Sequence, residues 1–233
     1  VLQTFKEQQR IDNKGPYSFQ RTTSWATDGV ALSGYGYPAK PNGLICSTFR
    51  PSDDATIFPY LVPSNWFAVF ALDWLTELAK TIGDDPLARQ AFELGNALAK
   101  ILWENAIVYT AKFGNIWVYE TNGLGSCNLM DDANLPSLLS MTYLGDNIFA
   151  STRQTIWDNT RRYVLSESNP FYFSGTAGAG IGSPHTGLDM IWPMSLAVQG
   201  LTSVDENEMK KIKDEHGGKK LNWEEIVELV KSM

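Results

Sequence analysis

Histidine and cysteine are nearly absent, with His185, His216, Cys46 and Cys127 the whole supply in 233 residues. Two cysteines without a Cys-x-x-Cys pair build neither a disulfide framework nor a thiolate zinc site, and they leave the redox compartment open. Two histidines do not supply a histidine-based metal centre, so neither metal nor cofactor is expected. Basic residues are outnumbered, 19 Lys and Arg against 26 Asp and Glu, giving a formal charge of −7 and a pI near 4.9. That balance opposes nucleic acid and anionic membrane surfaces, both of which need clustered cations. The basic runs Lys210-Lys211 and Lys219-Lys220 lie in a polar tail that also carries acids, and read as a solvated face. No apolar run is long enough to span a bilayer, so no membrane insertion is expected. The first residues, Val1-Leu-Gln-Thr-Phe5, are neither a signal peptide nor an initiator Met, and read as the middle of a longer protein. Asn-x-Ser/Thr acceptors are absent too. Nucleophilic serine chemistry lacks its Gly-x-Ser-x-Gly elbow. The glycines at 178, 180 and 182 miss the dinucleotide pattern because Ser183 stands at the last position, so they read as flexible loop.

Apolar residues are plentiful: 43% of the chain is hydrophobic and 12% aromatic, enough for one good-sized core. The aromatic rings exceed what a core requires, and suit the apolar faces of sugars as well as a protein interior. Trp66, Phe67, Phe70, Trp74, Leu75 and Leu78 recur at helical spacing, which predicts a helix over 66–82 with Ser64 or Asn65 as cap and Gly83 as stop. A second helix starts at Asp85 as cap with Pro86 in its first turn, and turns Leu87, Phe92, Leu94, Leu98, Ile101 and Leu102 toward a partner. The two make a hairpin. Further helices are expected near 134–143, 146–165, 188–200 and 205–215, separated by loops rich in Gly, Pro and Asp. Strand signals are few, at 115–119 and 170–173. The expected class is all-α: helical hairpins joined by long loops, which in a compact domain are usually functional.

Three loops gather the polar residues. The first runs Gly34-Tyr-Gly-Tyr-Pro-Ala-Lys-Pro-Asn-Gly43 and then Ser47-Thr-Phe-Arg-Pro-Ser-Asp-Asp-Ala-Thr56. The second is Met130-Asp-Asp-Ala-Asn-Leu-Pro-Ser137, and the third Gly180-Ile-Gly-Ser-Pro-His-Thr-Gly187 leading into Ile191-Trp-Pro-Met194. Two of them place Asp-Asp-Ala before an expected helix, so both acidic pairs can face one end and form an acidic cup. Helix capping needs only one Asp of each pair. Adjacent carboxylates raise one another's pKa, which keeps a carboxylic acid protonated for use as a general acid. Magnesium and a diphosphate substrate fit less well. An Asp-Asp-x-x-Asp motif meets Ile57 and Leu135 at its last position, and the companion pattern beginning at Asn134 and Ser137 ends on Met141.

Taken in order, the stretch 35–60, Met130-Asp-Asp-Ala-Asn134, Gly182-Ser-Pro-His-Thr-Gly187 and Ile191-Trp-Pro-Met-Ser195 resemble glycoside hydrolase family 125 over about residues 10 to 205. The resemblance implies an (α/α)6 toroid, incomplete here, and an exo-acting α-1,6-mannosidase that inverts the anomeric centre without a metal. It implies a partial catalytic domain over 1–205 and a diverged helical tail of that domain over 206–233. It implies a mannose-containing oligosaccharide or N-glycan as partner. The general acid falls on the Asp53-Asp54 pair, with Asp54 preferred. Arg50, Asp131, Asp132, His185 and Trp192 are implied around the terminal mannose, and Asn134, Tyr37 and Lys40 as further substrate-binding residues. Aligning the turn at His216 with the family's turn puts Glu224 opposite its general base, although Trp223 stands where the family has His. An ordinary amphipathic helix with Leu221, Ile226, Leu229 and Val230 on one side makes Glu224 a surface residue instead. The family's amino-terminal motifs have no counterpart upstream of Val1. From this follows the alternative of a shortened chain that binds mannosides without turnover, and an expectation of self-association through apolar surface left by missing helices.

Overall fold

The computed structural model describes residues 1–145, 151–176 and 178–203, with the side chains of 151–154 left aside. The tail expected over 206–233, with His216, Trp223 and Glu224, lies outside the described residues. In chain order the helices are α1 (Leu2–Gln8), α2 (Ala31–Gly34), α3 (Val62–Thr81), α4 (Asp85–Asn105), α5 (Met141–Leu144), α6 (Ser151–Val164) and α7 (Pro193–Leu201). The strands are β1 (Tyr60–Leu61), β2 (Ile107–Thr110), β3 (Gly114–Trp117), β4 (Glu120–Thr121), β5 (Cys127–Asn128), β6 (Tyr172–Gly175) and β7 (Gly178–Ile181).

The hairpin of α3 and α4 forms as the periodicity predicts, with corrections at its ends. α3 begins a turn early, at Val62, with Pro63 in its first turn. Asn65 does not cap it: its side chain accepts from the Ile45 amide at 2.8 Å and donates to the carbonyls of Ile45 and Leu61 at 3.0 and 2.9 Å. The cap of α4 is Asp84, which accepts from the Leu87 amide at 3.1 Å, so Asp85 is already helical. Phe92, expected to face a partner, is more than half exposed, as are Trp74 and Leu78 of the periodic set in α3. The core is instead built on tryptophans. Trp66 of α3 meets Trp117 at 5.2 Å, Trp157 at 5.9 Å and Trp103 at 6.0 Å between ring centroids, largely edge to face.

The chain is largely helical, but not all-α. Among the described residues the strands form three small antiparallel sheets, β1-β4-β5, β2-β3 and β6-β7. The two expected extended pieces become β3 and β6, and each needs a partner because a lone strand leaves its amides unpaired. β2 meets β3 with Ile107 opposite Trp117, and β6 meets β7 with Tyr172 opposite Ile181. The glycines read as flexible loop thus lie in or beside β7. They serve close packing: a Cβ on Gly182 would strike the Met190 carbonyl oxygen, and one on Gly180 would lie 2.7 Å from Leu196.

The helix expected near 134–143 shrinks to the single turn of α5. Side chains take the amides a helix would use: Asp131 accepts from Leu138 and Leu139, and Ser137 and Ser140 bond each other's backbone. Likewise α7 starts only at Pro193, because Asp189 sits at φ 61, outside the helical region.

Candidate active site

The acid loop doubles back on itself, with Phe49 bridged to Ala55 and the Arg50 amide donating to the Asp54 carbonyl at 2.8 Å. Asp53 takes the left-handed turn, at φ 71, a conformation that Asp tolerates better than most residues. The two acids therefore diverge. Asp53 is exposed, whereas Asp54 is 1% exposed.

The third loop closes over Asp54. His185 Nδ1 stands 3.4 Å from Asp54 Oδ2, and its ring lies 6.3 Å from that of Trp192. The Ser183 hydroxyl fixes this loop by accepting from the His185 amide at 3.1 Å while donating to Asp132 Oδ2 at 3.0 Å. Asp132 Oδ1 accepts in turn from the Asn134 amide and side chain, at 3.1 and 2.8 Å. Asp131 points the other way. Both of its oxygens accept backbone amides of the turn that precedes α5, from Leu138 at 2.8 Å and Leu139 at 2.9 Å, so this member of the pair holds a turn rather than capping a helix.

Arg50 enters from below the acid loop. Its Nε donates to Glu120 at 2.6 Å and its guanidinium lies 5.5 Å from the Tyr119 ring centroid. Four buried polar atoms here lack a hydrogen-bond partner: Arg50 Nη2, Ser52 Oγ, Asp54 Oδ2 and Tyr119 Oη. Native interiors rarely leave such groups unmet, which makes this cluster a candidate site. Among the described residues no group of three or more His, Cys, Asp or Glu is placed to hold a metal ion.

The family model for metal-independent α-mannosidases, glycoside hydrolase family 125, matches residues 1–227. The chain belongs to this family. It is 41% identical over 213 residues to the meiotically up-regulated gene 157 protein of Schizosaccharomyces pombe, covering 91% of this chain and 41% of that protein. It also resembles a solved metal-independent α-mannosidase from Streptococcus pneumoniae, in non-productive complex with α-1,6-mannobiose, with a TM-score of 0.85 and 34% identity. That match covers 92% of this chain and 50% of the solved one, so the chain spans half or less of the length of these relatives.

Within this candidate site the residues expected from the sequence fall into three groups. Asp54, Arg50, His185, Asp132, Asn134 and Trp192 are brought together by the contacts above. Asp53 and Asp131 adjoin the site but turn away from it. Tyr37 and Lys40 are exposed on the 34–43 loop, and among the described residues no contact joins their side chains to Asp54, His185 or Asp132. Lys40 is held by its backbone, whose amide donates to Asn122 and whose carbonyl accepts from Tyr60. Trp192 is half-buried, and the tryptophans Trp66, Trp103, Trp117 and Trp157 pack in the core.

The fields in the site follow from burial. Desolvation pushes the Arg50 guanidinium down, but the hydrogen bond and charge of Glu120 outweigh it and raise it further still. Burial, with Asp132 nearby, raises the Tyr119 phenol, which stays a neutral donor. Burial also raises the Asp131 carboxyl to about 7, against the pull of the Leu139 and Leu138 amides. Two structural residues were missed by the sequence reading. Asn169 accepts from the Asp131 amide at 3.1 Å and anchors the second loop. Glu120 lies wholly buried beneath the first. Only an unexpected acid in an apolar strand, Trp117-Val-Tyr-Glu120, hints at it.

Proposed function

We propose that this chain carries the acid half of an exo-acting α-mannosidase site, on part of an (α/α)6 toroid, that removes terminal α-1,6-linked mannose with inversion. Asp54 is the general acid, protonating the oxygen of the departing sugar. The observation that carries this reading is the buried Asp54 oxygen with no hydrogen bond, 3.4 Å from His185, beside the unmet donors of Arg50 and Ser52. A carboxyl that must give its proton to a substrate oxygen needs a side free of protein donors. Arg50, Asp132, Asn134, His185 and Trp192 hold the terminal mannose, with the half-buried indole presenting a flat face to the sugar ring. Tyr37 and Lys40, exposed on their loop, are suited to the outer sugar rather than the terminal one.

Inversion also requires a carboxylate on the far side of the ring, roughly 6.5–9.5 Å from the acid, to activate water. Glu224 is our candidate. The family's description as metal-independent fits this assignment, because a cup of hydrogen bonds and charges then carries the transition state alone. The mannobiose in the Streptococcus pneumoniae relative supports a mannose-containing glycan as ligand here.

The test is mannose release from an α-1,6-mannobioside, followed by proton NMR so that the first anomer is seen. β-Mannose first, lost in Asp54→Asn and Glu224→Gln, supports the whole reading. Mannoside binding without release leaves the sugar cup and removes the hydrolase from this chain. Neither binding nor release sinks both.

A further inference from the structure

We propose that Glu120 is the positioning residue of this site, acting through Arg50; the inference rests on the mannoside reading above. Glu120 is 0% exposed and is the hub of four donors: Arg50 Nε at 2.6 Å, the Ile57 and Phe58 amides at 3.1 and 3.3 Å, and Asn128 Nδ2 at 3.2 Å. These donors reach it from both ends of the acid loop and from β5. The loop leaves the site at Arg50 and returns through Ile57 and Phe58, so a single carboxylate ties its two limbs to β4.

Two consequences follow for the sugar. First, engaging Nε fixes the plane of the guanidinium, and Arg50 Nη2 remains a buried donor with no protein partner. A planar fork held at one nitrogen is aimed at the other. Second, the Arg50 amide is bonded to the Asp54 carbonyl at 2.8 Å, so anchoring Arg50 also sets where the Asp54 backbone sits. Glu120 itself has no open side: its oxygens are taken by four donors, so it touches no substrate. Its charge nonetheless matters, because Asp132 also faces Arg50 and the one cation must be shared between a structural and a sugar-facing acid.

A structural role alone is separated from this one by a double-mutant cycle on binding of methyl α-mannoside, read by calorimetry. Glu120→Gln keeps the size but turns an amide NH2 toward donors it must accept from, and should weaken binding about tenfold, the loss expected of one charge-assisted hydrogen bond. Arg50→Met should cost a similar factor. The double variant should bind no more than about twofold more weakly than Arg50→Met alone, since Glu120 then has nothing to aim. Additive losses, about a hundredfold in the double variant, would overturn the proposal. If Arg50→Met does not unfold cooperatively, Arg50→Lys takes its place, keeping the charge and losing the fork. If the unsubstituted chain binds no mannoside, the mannosidase reading fails by itself. Glu120 is then judged on the Arg50 Nε–H proton, which should exchange slowly in the unsubstituted chain and fast in Glu120→Gln. Equal exchange in both overturns the positioning role.

Discussion

At the residue scale, the two Asp-Asp pairs show how a local pattern splits into different tasks. Neighbouring side chains in extended or turning backbone point to opposite sides, so one acid of each pair enters the site and the other does not. The left-handed turn at Asp53 exposes that residue and buries Asp54. Asp54→Asn is therefore expected to lower mannose release by about 10²–10⁴, the range for loss of a general acid, while Asp53→Asn stays within a few-fold. Initial rates on an α-1,6-mannobioside check both, and equal losses would return the choice to Asp53. Asp131 makes a different prediction. Its carboxyl is raised to about 7 by burial, from 3.8 in the open chain. The stability it confers is full below pH 3.8 and falls as pH rises toward 7, where the unfolded chain ionises more readily than the folded one. Urea midpoints measured from pH 4 to 8 should show the unsubstituted chain losing ground against Asp131→Asn as pH rises, by on the order of a few kcal/mol. A constant offset would mean the Leu138 and Leu139 amides hold this group ionised throughout.

At the element scale, the helices obey their own periodicity and the strands obey partners far along the chain. α3 and α4 were legible from spacing, and Asp84 with Pro86 is a start signal readable from the sequence alone to within one residue. Asp84→Ala should cost about 1 kcal/mol of stability, measured by urea unfolding, with no change in mannoside binding. The short strands were not legible. β1 and β4 have two residues each, and Leu61 meets Glu120 across a long separation in sequence. Such pairs carry no period to read, yet they bring Glu120 beneath the acid loop. The third loop depends on close approach rather than on flexibility. Gly182→Ala would drive a methyl group into the Met190 carbonyl, so it should displace the turn carrying Ser183 and His185. The expected result is a folded chain whose mannoside affinity falls at least tenfold, because a backbone neighbour cannot move aside as a flexible side chain can. Unchanged affinity would show that the loop adapts without moving His185.

At the scale of the whole molecule, the outer side of α3 leaves Phe67, Trp74, Leu78 and Ile82 between 38% and 68% exposed, with Phe67 and Trp74 in edge contact. A contiguous apolar stripe marks an interaction surface, and the self-association expected from the sequence would use it. Sedimentation velocity should show concentration-dependent association, reduced by Trp74→Lys with Leu78→Lys; a monomer at all concentrations would refute it. What the sequence by itself determined was the helical hairpin and the family, because periodicity and ordered motifs are local or linear properties. Asp54, Arg50, His185, Asp132, Asn134 and Trp192 could be named from those motifs. The tertiary structure decided that Asp54 meets His185 and Asp132 meets Ser183 while Asp53 and Asp131 do not join them, that Trp66, Trp103, Trp117 and Trp157 pack together in the core, and that a buried Glu120 holds the arginine. Those outcomes turn on side-chain direction and on contacts between distant segments, and burial alone distinguishes a structural carboxylate from a solvated one.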